Sequence, residues 1–117
     1  MPQPSNKELE LYALSKKLAY TCYALTDILA AEEKSISGAE IRKAAIYMHM
    51  NMAAALSRPS KKKRRKYFKT AKDYLVMIEA ATNLLLELKY IQPPDISELD
   101  ILLQRCYRFI KKQLKNK

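Results

Sequence analysis

Apolar residues recur at intervals of three and four along most of the chain, the spacing that lines one face of an α-helix. Leu11, Leu14, Leu18, Cys22, Leu25 and Leu29 make the first stripe and predict a helix over about 7–31 with Asn6 as its N-cap. Ile41, Ala45, Met48, Met52 and Ala55 make the second, over 38–57. Ser37-Gly38-Ala39-Glu40 ahead of it carries the serine and the glutamate three residues on that a capping box uses. A third helix is predicted over 60–91 from Phe68, Ala71, Leu75, Ile78, Thr82 and Leu85, with Pro93 and Pro94 to stop it, because proline lacks an amide hydrogen and restricts the residue before it. The fourth, over 96–115, carries Leu99, Leu103, Cys106, Ile110 and Leu114. Short connections between long helices force neighbours to run antiparallel, so the expected fold is all-α: an up-down-up-down four-helix bundle occupying the 117 residues as a single domain.

Composition narrows the chemistry. Gly38 is the only glycine, which excludes loops that cradle phosphates with repeated glycines, and His49 is the only histidine, which excludes histidine clusters. Cys22 and Cys106 have no metal-like spacing and sit on apolar helix positions, so both are expected to be buried and reduced in a cytoplasmic protein. Met1 to Asn6 show no basic start followed by an apolar run, so no secretory signal is expected. The longest uncharged stretch, Ala44 to Ser57, falls short of the roughly 20 apolar residues that a membrane span needs. Met48-His49-Met50-Asn51-Met52 resembles a soft-metal motif, but on a helix only Met48, His49 and Met52 share a face, and methionine filling an irregular interface is the simpler reading. Glu32 and Glu33 are adjacent, and Glu79 and Glu87 lie two turns apart. No general acid and base converge, so neither an enzyme nor a cofactor is expected.

Charge is the most uneven property of the chain. Twenty-two Lys and Arg against 12 Asp and Glu leave a formal +10. Nine cations fall between residues 58 and 72 (Arg58, Lys61, Lys62, Lys63, Arg64, Arg65, Lys66, Lys69, Lys72) without one carboxylate among them. Six more close the chain, again without an acid: Arg105, Arg108, Lys111, Lys112, Lys115 and Lys117. The remaining seven cations face all 12 carboxylates, so the rest of the chain is acidic. Six consecutive cations at a helix start are doubly unfavourable, since they repel one another and meet the positive end of the helix dipole, and an anion would relieve both. Lys62, Arg65, Lys69 and Lys72 step onto one helical face, a stripe roughly 15 Å long at 1.5 Å per residue. Such cations replace condensed counterions on a phosphate backbone and give affinity without base recognition. Tyr67 beside the run either stacks on a base or packs on a neighbouring helix.

Two helices are more apolar than a lone bundle needs. Ala44 to Leu56 carry no charge on any face, and Leu84, Leu85, Leu86 and Leu88 surround the third helix. A helix that is apolar all round is buried all round, so further copies of the chain are expected to cover the surplus.

A first helix of Leu and Tyr, then Ser37-Gly38-Ala39-Glu40-Ile41-Arg42-Lys43-Ala44-Ala45, then Asn51, a basic loop and a Leu-rich third helix together resemble the bacterial four-helix bundle proteins encoded in 23S rRNA intervening sequences. Accessory variability determinants of diversity-generating retroelements are among the relatives of that family. The resemblance spans about Leu9 to Ile110. It implies a homopentamer of antiparallel four-helix bundles with a basic surface that binds nucleic acid and, in the retroelement members, a reverse transcriptase. By position it adds Arg42 and Lys43 to the 58–72 segment as basic contributors. The expected function is a non-enzymatic oligomeric scaffold for the phosphate backbone of DNA or RNA. The 58–72 cations would be its primary contacts and the C-terminal cations a second patch. The alternative is an adaptor whose basic face docks an acidic partner or a reverse transcriptase.

Overall fold

Four long helices form where the apolar stripes predict them: α1 (Asn6–Asp27), α2 (Ala39–Leu56), α3 (Lys61–Glu87) and α4 (Ser97–Lys115). The computed structural model describes residues 5–115; Met1 to Pro4, Asn116 and the predicted cation Lys117 lie outside them. Every stripe residue named above is buried except Leu114, which is half-buried, and together they make one core. Phe68, Leu18, Leu75 and Ile78 are almost wholly enclosed. Truncating any of the three aliphatic ones to Ala would cost about 2–5 kcal/mol, because the cavity left behind collapses only in part.

Contacts between the helices define the topology. Ser15 and Tyr12 of α1 meet His49 of α2, while Leu29 beyond α1 reaches Gly38 ahead of α2. Tyr47 of α2 meets Tyr74 of α3, and Arg58 beyond α2 meets Tyr67. Glu79 of α3 meets Gln104 and Tyr107 of α4, while Arg65 reaches the Leu114 carbonyl. Glu10 and Lys17 of α1 meet Arg105 and Glu98 of α4. In each pair one residue number rises as the other falls, so all neighbours are antiparallel and the bundle runs up-down-up-down. Its long axis is 44 Å.

The helix ends depart from the sequence expectations. Ser5, not Asn6, caps α1: its hydroxyl accepts from the Glu8 amide and the Glu8 carboxylate accepts from the Ser5 amide, a complete capping box. α1 stops at Asp27 with no glycine or proline present. Leu29 turns into the core, and extended Ala30 starts the next helical segment, its carbonyl accepting from Lys34. A short helix, Ala31–Glu33, passes through a π-helical turn, Lys34–Gly38, straight into α2. Ser37 is therefore inside a helix rather than at its start, and its hydroxyl donates back to Glu33. α3 ends before the prolines. Leu88 caps it, Lys89 adopts φ 65°, and the Tyr90 and Lys89 amides return to the Leu85 and Leu86 carbonyls, a Schellman closure with lysine where glycine is usual. Pro93 instead opens a 3₁₀ turn, Pro93–Ile96, that leads into α4.

Candidate nucleic-acid interface

Because α1 and α3 run the same way, their first turns lie at one pole of the bundle beside the last turns of α2 and α4. Arg64 marks that pole. Its Nη1 donates to Glu8 Oε1 at 2.8 Å, its Nε to the Arg58 carbonyl at 2.6 Å and its Nη2 to the Leu56 carbonyl at 3.4 Å. One guanidinium thus joins α1, the end of α2 and the loop into α3. Arg58 donates to Tyr67 Oη at 2.8 Å and lies 4.9 Å from the ring centroid, which lowers the tyrosine pKa through the hydrogen bond and then through charge. Arg65 donates to the Leu114 carbonyl near the end of α4. All three arginines are half-buried and committed to protein partners. A planar guanidinium suits that use, because it forks between carbonyls and is weakly hydrated.

The lysines are arranged differently. Lys61, Lys62, Lys63, Lys66, Lys69 and Lys72 are all exposed. Among the described residues, no carboxylate lies within ion-pair distance of any of them. Ser60 caps α3 by accepting from the Lys63 amide, so the charged run is helical from its start. The C-terminal cations share this pole. The Arg65–Leu114 and Glu79–Tyr107 contacts fix the register of α3 against α4, and Lys69 and Lys72 lie between those contacts on one helix as Arg108, Lys111 and Lys112 do on the other. The two patches therefore lie at the same end of the bundle, with Lys115 near its tip, although Arg108 and Lys112 line a hollow with Glu10 and Arg105 on the α1 side of α4. Arg105 is partly neutralised by Glu10 at 3.5 Å.

Arg42 and Lys43 do not belong to it. They open α2 at the far pole, and Lys43 shares a hollow with Glu40, Tyr47 and Tyr74. Sixteen residues of helix and turn, roughly 24 Å at 1.5 Å per residue, separate Arg42 from Arg58. Arg42 is half-buried; its Nη1 has no hydrogen-bond partner and lies 3.2 Å from where a Cβ on Gly38 would stand. Tyr67 is half-buried against the core and held by Arg58, so it packs rather than offering a free face to a base.

Spacing alone does not reveal the contact between Ser15 Oγ and His49 Nδ1 at 2.8 Å, which pairs a hydroxyl with the only imidazole in the chain. Ser15 is 0% exposed and also donates to the Tyr12 carbonyl, so its oxygen is closed to a substrate, and the pair ties α1 to α2. Burial and nearby Lys16 hold the His49 pKa below its ordinary value. Met48 and Met52 are core residues. Among the described residues, no three His, Cys, Asp or Glu side chains gather as metal ligands, and no helix is long and apolar enough to cross a membrane.

Fold and surface define an antiparallel four-helix bundle with a lysine-covered pole. Residues 7–112 match the family model of the 23S rRNA-intervening sequence proteins. The chain belongs to that family. A comparison with curated proteins finds none that matches.

Proposed function

We propose that the protein is a non-enzymatic scaffold that binds the phosphate backbone of nucleic acid through its lysine-covered pole. The observation that carries the reading is the division of labour within the basic segment: the arginines are occupied by the protein, while the exposed lysines have no carboxylate within ion-pair distance among the described residues. Free ammonium groups on a rigid frame release counterions from a polyanion, which gives affinity without base recognition. The α2 face supports self-association: Ile46, Tyr47 and Met50 are 43%, 38% and 55% exposed on a helix without a charge from Ala44 to Leu56. The family resemblance supports a pentamer as the assembly, which would join many weak contacts into one avid surface. Cys22 and Cys106 are both free and buried, as suits a reducing cytoplasm.

The test is binding of a DNA duplex and of a structured RNA at several salt concentrations. Engagement of about five phosphates weakens binding about 500-fold for a fourfold rise in salt. Lys62→Gln, Lys66→Gln, Lys69→Gln and Lys72→Gln together should reduce both affinity and salt slope without changing the helical content. Absence of binding at low salt, or binding indifferent to salt, would overturn the reading.

A further inference from the structure

The pole opposite the lysines is of another character, and its position is set by rigid elements. The turn Ile28–Ala30, the π-helical turn before α2 and the end of α3 meet there. Ile28, Ile36, Leu88 and Tyr90 are 55%, 61%, 52% and 54% exposed. Tyr90 shares a hollow of about 250 Å³ with Ala30, Glu32 and Glu33. The aromatic ring is carried on fixed backbone, since the Tyr90 amide bonds to the Leu85 carbonyl at 3.0 Å and the next residue, Ile91, is 2% exposed. At this pole stand Asp27, Glu32, Glu33, Glu40 and Glu87 against Lys34, Arg42, Lys43 and Lys89; Lys34 is already paired with Asp27 at 3.1 Å, and Glu32 and Glu33 are the charged groups that line the Tyr90 hollow.

We infer that this pole is a docking surface for a basic amphipathic helix of a partner protein, with Tyr90 and Leu88 as apolar anchors and Glu32, Glu33 and Glu87 as the acidic rim. Charge complementarity selects the occupant. A cationic segment is repelled by the chain as a whole, at a formal +10, yet the charged side chains lining the Tyr90 hollow, Glu32 and Glu33, are both acidic. The Debye length is about 8 Å at physiological salt, so poles at the two ends of a 44 Å axis act independently. The lysine pole of a second copy is a poor occupant: it is rich in ammonium groups, whereas the exposed isoleucine, leucine and tyrosine here require an apolar counterpart. An arginine- or lysine-flanked helix with an apolar stripe supplies both. The inference does not depend on the lysine pole binding nucleic acid, and the two fail separately.

The probe is a fluorescein-labelled helical peptide of about 18 residues built from Leu and Lys in amphipathic order, titrated with the full chain at physiological salt and read by anisotropy. We expect saturable binding, weakened about tenfold or more by Leu88→Ser with Tyr90→Ser, as truncation of two anchor residues does in interfaces. Glu32→Lys with Glu87→Lys should weaken it similarly, while Lys62→Gln with Lys66→Gln should leave it unchanged. Circular dichroism confirms that each variant keeps the wild-type helix content. Four results would each overturn the inference: no binding; equal binding of a scrambled peptide of the same composition; no effect of the Leu88 and Tyr90 changes; or peptide-free self-assembly that those changes abolish, which would make a second copy the occupant.

Discussion

Removing the Arg64 side chain separates the two tasks assigned to the basic segment. In Arg64→Ala, Glu8 loses its partner, and the Arg58 and Leu56 carbonyls lose their donors. The two side chains of the ion pair are 18% and 20% exposed. Breaking a fully buried pair costs about 3–5 kcal/mol and an exposed one less than about 1 kcal/mol, so this pair, four-fifths enclosed, is worth about 2 kcal/mol. The short bond to the Arg58 carbonyl adds about 1 kcal/mol. A loss of about 3 kcal/mol lowers Tm by about 10–20 °C in a chain of this size. Lys66→Ala, two residues along the helix and exposed, should shift stability by less than about 0.5 kcal/mol while costing nucleic-acid affinity. Urea unfolding of Arg64→Ala, Glu8→Gln and the double variant isolates the pair, because glutamine keeps the capping role of residue 8 while losing the charge. The coupling energy should be about 2 kcal/mol. An Arg64→Ala protein within about 0.5 kcal/mol of wild type would refute the view that arginine builds this pole and lysine serves it.

Burial pushes the thiols of Cys22 and Cys106 up to about 12, from 9.0 in the unfolded chain. The folded state therefore prefers the neutral thiols; their stabilising contribution is complete below pH 9 and is lost between pH 9 and about 12, so urea midpoints measured from pH 8 to 11 should fall steadily. Iodoacetamide should leave both thiols unmodified at pH 8 until the chain is unfolded. The opposite sign applies to His49: its lowered pKa means that stability present above pH 6.5 is lost as the pH falls below it, and His49→Gln should flatten that acid limb of the stability profile. Lys89→Gly should raise stability by about 0.5–1 kcal/mol, because φ 65° is strained for lysine and open to glycine, and differential scanning calorimetry should register a higher Tm.

The core was legible in the sequence because burial in a helical bundle follows a local rule: positions three and four apart share a face, and Leu11 to Leu29 or Phe68 to Leu85 could hardly form anything but a buried stripe. Charge density was legible for the same reason, being a property of neighbours in the chain. Helix ends were less so. Ser37 looks like a cap, yet a cap needs extended backbone, and the chain reversed earlier, at Ala30, where burying Leu29 outweighed continuing α1. Lys89 gave no sign that it would take the conformation usually left to glycine. The site divides in the same way. Sequence alone determined that residues 58–72 carry an unbalanced positive charge. Tertiary structure decided that Arg58, Arg64 and Arg65 turn inward to Tyr67, Glu8 and the Leu114 carbonyl, that the C-terminal cations complete the same pole, and that Arg42 and Lys43 stand at the other end. The physical reason is range: helical periodicity and local charge act over a few residues, whereas a hydrogen-bond partner 49 or 56 positions away exists only once antiparallel packing has brought the ends of the helices together.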